Sequence, residues 1–258
     1  MVEIAISLAV IGFALVAIIG VLPIGMNVQK LNREETIVNQ DANLLMDAIC
    51  KGAQGLDDLT NYVFAITNTV TEWQYKGSTV HPVPYSTYGY TLAGSYQGVA
   101  AMSPMSPPYP LINGYRIVGL LSTPKYAPYS SGNNNGYFSN HVVAYMRSMS
   151  GSASEMFPQN NQAVQDLAFS YRLTSEVIPY WTNYFSADPT NYAILNANLH
   201  DVRLYFRWPL LSLGNAGLSG QSYRTLAGGQ LFQTNEFGFP ANNPAYYLYF
   251  FQPQTYVP

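Results

Sequence analysis

Charge is scarce in this sequence: charged residues occupy 10% of its 258 positions, where an average soluble protein has roughly a quarter. The eleven Lys and Arg form no run, and the formal net charge is −3. The basic surface that a phosphate backbone requires is therefore missing, and we expect no nucleic-acid partner. Polar surface has to come instead from Asn, Gln, Ser, Thr and 22 Tyr, which suits a protein that packs against its own copies or works outside the cell.

Residues for metal or redox chemistry are equally few. The single cysteine, Cys50, excludes an internal disulfide or a zinc site built on cysteines, and is best read as a small core residue. The histidines His81, His141 and His200 lie far apart, at no metal-ligand spacing. Neighbours in a strand point to opposite faces, so His200 and Asp201 form no catalytic dyad. No nucleophile elbow or phosphate-binding loop is present, and we expect no metal, no cofactor and no enzymatic activity.

An uncharged apolar run stands near the start of the sequence. Residues 4–26 read IAISLAVIGFALVAIIGVLPIGM, with Ser7 as the clearly polar side chain. A helix of this length spans about 30 Å, the thickness of the hydrocarbon core of a bilayer. A secretory signal peptide would have a basic leader and a small-residue cleavage site, and neither flanks this run. The run therefore predicts a retained helix over residues 1–26 that lies in a membrane or in the core of a filament.

Helical periodicity continues beyond the apolar run, through residues 27–52. The apolar stripe consists of Leu31, Val38, Ala42, Leu45 and Ile49. The polar face carries Arg33, Glu34, Glu35, Asp41 and Asp47. We therefore predict one long helix over residues 1–52, apolar all round at first and amphipathic afterwards, followed by a globular head over residues 53–258.

A carboxylate stands at the mouth of the apolar run. Placing the charged side chain of Glu3 in apolar surroundings costs free energy unless a cation partners it. The nearest candidate cation is an N-terminal amine, that of Met1 or that of a neighbouring chain. Such a pairing inside an apolar core would fix the axial register between copies. Helices in an apolar surrounding associate through small residues that allow close approach. Those positions are Ala5, Ala9, Gly12, Ala14 and Ala17.

A weak point follows in the same run. Pro23 removes an amide donor and crowds the preceding turn, and Gly20 and Gly25 loosen the helix further. The sequence therefore predicts a break or an extended stretch within residues 18–25. In lipid, the carbonyl groups freed by such a break need partners from neighbouring groups.

The stretch MVEIAISLAVIGFALVAIIG, with Glu3 before about twenty apolar residues and an amphipathic continuation, resembles the mature start of type IV pilins and type II secretion pseudopilins. This resemblance covers roughly residues 1–50. Aligned on Glu3, the sequence begins slightly later than those mature chains, so either it starts inside the mature protein or its processing differs. The stretches LHDVRLYFRWPLL (199–211) and SYRTLAGG (222–229) are similar to prepilin-like proteins of the Verrucomicrobia.

The resemblance implies a structural subunit of an extracellular type IV pilus-like filament, with a methylated N-terminus. Its partners would be identical subunits, the inner membrane before assembly and the pilus assembly machinery. The residues expected to matter for assembly are Glu3, Met1, Gly12, Gly20, Pro23 and Gly25. Two alternatives stay open: a minor pilin or type II secretion pseudopilin, and a membrane-anchored head that binds a ligand or carries an enzymatic site.

The head begins with a second predicted helix. Residues 56–74 place apolar side chains on one helical face, with Asp57 or Asp58 as the N-cap, a role favoured over calcium binding. Residues 76–113 are rich in Pro, Gly, Ser and Tyr and predict a surface excursion. Tyr clusters are expected to pack sheets and subunit interfaces; carbohydrate binding and charge transport along a fibre are the alternatives.

Strand-like runs follow in the rest of the head. They cover residues 115–122, 141–150, 164–174, 199–208 and 245–251. Within 199–208, apolar residues alternate with Arg203, Tyr205 and Arg207, which predicts an antiparallel sheet with one face on the long helix and one in water. Arg203, Arg207 and Arg224 are expected to pair with Glu176 or Asp166, a role favoured over anion binding. The expected fold class is α+β.

Overall fold

The computed structural model describes residues 2–76, 79–82, 86–91, 109–131, 134–151, 169–180, 189–211, 214–235 and 246–258. Met1, Asp166 and most of the predicted surface excursion lie outside these residues. The fold is α+β, with a long N-terminal helix and a mainly antiparallel sheet, which confirms the predicted class. The chain divides into two compact units, Met1–Gln40 and Asp41–Pro258.

Helix α1 spans Val2–Lys51 without interruption, so the predicted break within residues 18–25 is wrong. Pro23 lies inside the helix. A proline removes one hydrogen bond of the ladder, here the one to the carbonyl of Ile19, at a cost of about 3 kcal/mol. The apolar residues on both sides retain the other hydrogen bonds of a 50-residue helix, which is why a single proline does not divide it.

Gly52 ends α1. Its φ of +60° is a left-handed conformation that favours glycine, and its amide donates to the carbonyl of Ile49 at 3.0 Å. The amide of Ala53 donates to the carbonyl of Ala48 at 2.9 Å, which completes a Schellman motif. A Cβ on Gly52 would lie 2.1 Å from the backbone oxygen of Phe251, so glycine also allows the C-terminal strand to approach.

The second helix, predicted over 56–74, is wrong. A short 3₁₀ turn occupies Asp57–Asn61, and strand β1 follows over Val63–Lys76. The apolar side chains of the expected helix are nonetheless all buried: Leu59, Val63, Ile66 and Val70. Pairing with a strand on each side, together with the β-branched residues of TNTVT, overrides the local helical spacing.

The remaining helices and strands belong to the head. They are β2 (Thr79–Pro82), β3 (Ser86–Thr91), β4 (Tyr109–Pro110), α2 (Gly114–Leu121), β5 (Tyr126–Ser131), β6 (Asn134–Arg147), β7 (Ser170–Pro179), α3 (Pro189–Asn198), β8 (Leu199–Leu210), β9 (Ala216–Gly228), β10 (Gln230–Asn235) and β11 (Tyr247–Gln252). The main sheet has the order β4-β3-β1-β6-β7-β8-β9, with β2 on β1 and β5 on β6. Its pairs are antiparallel except β3–β4, and β10 and β11 form a separate antiparallel pair.

Most of the predicted strands are confirmed over their described residues. The runs 141–150 and 199–208 fall mainly on β6 and β8, and 245–251 falls on β11. The described end of 164–174 enters β7. The run 115–122 is wrong, because it forms helix α2.

Two side chains explain why α2 is helical. The side-chain oxygen of Asn113 accepts a hydrogen bond from the amide of Arg116 at 3.0 Å, which is an N-cap. Asp57 Oδ1 accepts from the amide of Gly114 at 3.0 Å, so Asp57 caps this helix and not the one predicted after it. A short continuous apolar run is ambiguous between strand and helix, and here the caps decide.

The inner face of the sheet holds the core of the head. On β8 the side chains of Val202, Leu204 and Phe206 are buried, which confirms the predicted alternation. Residues 41–51 of α1 and helix α2 pack on this face. Tyr171 of β7 donates its hydroxyl to Asp41 at 3.0 Å, and Ser175 Oγ donates to the Leu121 carbonyl at 2.6 Å.

Candidate membrane and assembly helix

The first part of α1 exposes an apolar surface. Every described residue from 2 to 33 is exposed, and the large apolar side chains from Val2 to Leu31 are exposed by 50–80%. Contiguous apolar patches on soluble monomers rarely exceed a few hundred Å². A helix that is apolar all round needs lipid or protein around it, so this segment is a candidate surface for membrane insertion or assembly.

The length of the segment fits a bilayer. No Asp, Glu, Lys or Arg lies between Glu3 and Lys30. At a rise of about 1.5 Å per residue, residues 4–29 form a helix about 39 Å long, which crosses a hydrocarbon core of about 30 Å with room for tilt. The helix is therefore long and apolar enough to anchor the chain in a membrane, and a signal sequence would pass the same test.

The helix itself interacts favourably with two polar groups at its start. Ser7 donates its hydroxyl to the backbone carbonyl of Glu3 at 2.8 Å, so the hydroxyl needs no partner from lipid. Glu3 lies in the first turn, where the helix dipole stabilises a carboxylate. Among the described residues no cation lies within ion-pairing distance of Glu3, and the expected amine of Met1 lies outside them.

The expected assembly residues are distributed along one helix and form no cluster. Glu3 and Gly25 are about 33 Å apart at the helical rise of 1.5 Å per residue. A Cβ added at Gly12, Gly20 or Gly25 would meet nothing within 4 Å. Packing within the chain therefore does not require glycine at these positions, which leaves them available for close approach by another helix.

In the head, His200 and Asp201 lie on opposite faces of the sheet, as predicted. The ring of His200 is buried on the inner face, 5.3 Å from the ring of Phe251. Asp201 lies on the outer face and binds Arg203 and Arg224. The predicted pairing of these arginines with Glu176 is wrong: Glu176 lies opposite Arg203 in the register, but Lys125 binds it, and both arginines bind Asp201.

Other candidates for chemistry in the head are structural. Glu176 binds Lys125 at 2.7 Å. Burial and the neighbouring Asp47 raise the pKa of the half-buried Cys50 thiol to about 11, which keeps it protonated. Within the part of the chain that the structure describes, no group of three or more His, Cys, Asp or Glu could hold a metal. A cavity lined by Asn68 and Thr123 has about 10 Å³, enough for roughly one water.

Asp41 is a buried residue that the helical pattern placed wrongly on the polar face. It is 0% exposed, and its Oδ2 accepts hydrogen bonds from the Tyr171 hydroxyl and the Met149 amide, both at 3.0 Å. The signal in the sequence was its spacing: Asp41 lies three residues after Val38 and four before Leu45, on the edge of the apolar stripe.

Burial of His200 makes the stability of the head depend on pH. The side chain is 5% exposed, and desolvation lowers its pKa from 6.5 to about 4. The unfolded chain takes up its proton near pH 6.5 and the folded head near pH 4. The contribution of neutral His200 to the free energy of unfolding is therefore fully present above pH 6.5. It falls by about 3 kcal/mol as the pH decreases from 6.5 to 4.

A His200→Phe variant should show a flatter dependence of unfolding free energy between pH 7 and pH 4.5 than the wild type, because phenylalanine binds no proton. Urea denaturation of the full chain in nonionic detergent measures this at both pH values. If the free energy of unfolding depends equally on pH in both proteins, His200 is not the source of the pH dependence.

Comparisons with known proteins identify no relative: no family model, no curated protein and no solved structure matches this chain. The features of the chain that bear on its function are the exposed apolar helix and the chemistry of the head.

Proposed function

We propose that this chain is a structural subunit of an extracellular type IV pilus-like filament that assembles through its N-terminal helices. The observation that carries the proposal is the exposed, uncharged surface of α1 between Glu3 and Lys30. This surface continues without interruption into the part of the same helix that is buried in the head, near Asp41. A cleavable anchor has no need of that continuity.

The same helix serves two environments in this proposal. Before assembly it holds the monomer in the inner membrane, where lipid covers its apolar surface. In the filament, copies of the helix cover one another, with the assembly machinery moving subunits from one state to the other. The hydrophobic effect differs little between these states, so van der Waals packing at small residues such as Ala9 and Gly12 must favour the bundle.

Glu3 supplies specificity in the bundle. A carboxylate in an apolar core is stabilised when a cation meets it, and an N-terminal amine of a neighbouring subunit is such a cation. The pair can form at one axial offset between neighbouring helices, because the rest of the segment carries no charge. Glu3 therefore sets the register of the filament, while the apolar residues supply its contact area.

The composition of the head supports a structural role. The chain has 22 Tyr and only 10% charged residues, a composition suited to a shell of closely packed copies. The cavity lined by Asn68 and Thr123 has room for about one water and is too small for a substrate. The scarcity of charge in the chain therefore supports a structural subunit.

Fractionation of cells tests this proposal. Filaments sheared from the surface should contain this chain as their main component, with α1 retained in its mass spectrum, and antibodies to the head should label them along their length. Label confined to filament tips would indicate a minor subunit. A chain found in the membrane fraction alone would contradict the proposal.

A further inference from the structure

Four of the eleven Lys and Arg of the chain lie on the outer face of β7, β8 and β9. Arg172 lies directly opposite Arg207 across β7 and β8. Arg203 lies directly opposite Arg224 across β8 and β9. Directly opposed side chains have Cβ atoms about 5 Å apart, so each pair brings two positive charges together.

The chain itself offsets the charge of one pair. Arg203 Nη2 lies 2.6 Å from the carboxylate of Asp201, and Arg224 Nε lies 2.8 Å from it. Asp201 is 3% exposed beneath the two arginines. Glu176, the other carboxylate on this face of β7 and β8, is bound by Lys125. The acidic groups of the face are therefore already engaged.

Among the residues that the structure describes, no carboxylate offsets the charge of Arg172 and Arg207. In the described ranges of the chain, no carboxylate oxygen lies within 4.0 Å of either guanidinium. Arg207 is exposed and Arg172 is half-buried. Like charges directly opposite each other destabilise a sheet, and guanidinium groups bind carboxylate, sulfate or phosphate through paired hydrogen bonds. An anionic group above this pair would remove the repulsion.

An aromatic and hydroxyl-bearing strip separates the two pairs. Arg203 and Arg207 are four residues apart on β8, about 13 Å at roughly 3.3 Å per residue. Tyr205 lies between them, 36% exposed, with Thr174 and Ser222 as its partners on the neighbouring strands. Aromatic rings stack on sugar rings and hydroxyl groups hydrogen-bond them, so this polar centre suits a sugar chain better than a lipid surface, which favours inserted apolar groups.

We propose that the outer face of β7, β8 and β9 binds an acidic polysaccharide. Arg172 and Arg207 hold one carboxylate or sulfate group, and Tyr205 contacts the adjoining sugar. Asp201, Arg203 and Arg224 together carry a net positive charge, and the next acidic group of the polysaccharide lies near them. The site concerns the head alone and is independent of the filament proposed above.

The test uses the full chain in nanodiscs of neutral phosphatidylcholine, with polygalacturonate as the acidic probe and dextran as the neutral one. We expect binding to polygalacturonate that weakens with added salt, and none to dextran. An Arg172→Gln/Arg207→Gln double variant should bind at least about tenfold more weakly, because two charge-assisted contacts are lost. Arg172→Lys/Arg207→Lys should be intermediate, since it retains the charge without the paired geometry.

The matched control is Lys30→Gln/Lys51→Gln, which removes the same charge outside the face and should bind as the wild type. Thermal melting of each variant verifies that the head is folded. Failure of the wild type to bind polygalacturonate at low salt, or an equal loss in the control, overturns the proposal. The proposal is also overturned if the chain binds phosphatidylglycerol vesicles through Arg172 and Arg207 and does not bind polygalacturonate. That result would indicate that this face binds a lipid surface.

Discussion

A Glu3→Ala variant is expected to reach the membrane in normal amounts and to yield at least about tenfold fewer filaments. Insertion should persist because the apolar run over residues 4–26 is unchanged, and losing a carboxylate makes transfer into lipid easier. Assembly should fail because the attraction between a carboxylate and an amine in the apolar core is gone. A loss of about 1.4 kcal/mol per contact already lowers an association constant tenfold.

The control for this prediction is Ile4→Ala, which truncates the neighbouring side chain, 67% exposed, and leaves the charge of Glu3 in place. It should assemble nearly as well as the wild type. Glu3→Gln tests charge against shape, and it should assemble as poorly as Glu3→Ala. Normal filament yield from Glu3→Ala would show that Glu3 does not set the register. For each variant, the amount of this chain in sheared surface filaments divided by its amount in the membrane fraction gives the filament yield.

An Asp41→Ala variant should unfold the head with a free energy lower by about 2–5 kcal/mol. The substitution leaves the hydroxyl of Tyr171 and the amide of Met149 buried without their acceptor, and each orphaned donor costs about 1–3 kcal/mol. Tyr171 is itself 0% exposed, so water cannot replace the carboxylate. Chemical denaturation of the full chain in detergent, followed by near-ultraviolet circular dichroism, measures the change.

The Asp41→Asn variant distinguishes a hydrogen-bonding role from a charged one. Burial raises the pKa of Asp41, and hydrogen bonds from Ser150, Met149 and Tyr171 lower it in part. Because the pKa of Asp41 is raised in the folded head, the stability that its protonated form contributes is fully present below pH 3.8, the pKa in the unfolded chain. That stability is lost as the pH rises through the pKa in the folded head. Asparagine keeps an acceptor oxygen and avoids the buried charge, so at pH 7 this variant should be close to the wild type. Equal destabilisation by Asn and Ala would contradict the prediction.

The sequence was informative where one element carries its own pattern. The apolar run of α1 needs no partner strand to be recognised, and the alternation on β8 follows from one buried and one exposed face. Glu3 was identified because a charge at the edge of an apolar run is conspicuous. Each of these features is carried by residues that are neighbours in the sequence, which is why the sequence alone reveals it.

Features fixed by distant residues were missed. β1 was predicted as a helix because its apolar spacing fits both structures, and pairing with β3 and β6 decides between them. The Gly- and Ser-rich start of β9 resembles a loop and is a strand because β8 lies beside it. Arg172 and Arg207 are 35 residues apart in the chain, and they lie opposite each other because of the register between β7 and β8, which no local pattern contains.

Electron cryomicroscopy of filaments from the native surface tests the central claim most directly. We expect a helical lattice in which residues 2–40 of α1 lie at the centre, with the Glu3 carboxylate within ion-pairing distance of an amine from a neighbouring subunit. Filaments built from heads whose α1 has been removed, or a lattice with α1 outside its core, would contradict it.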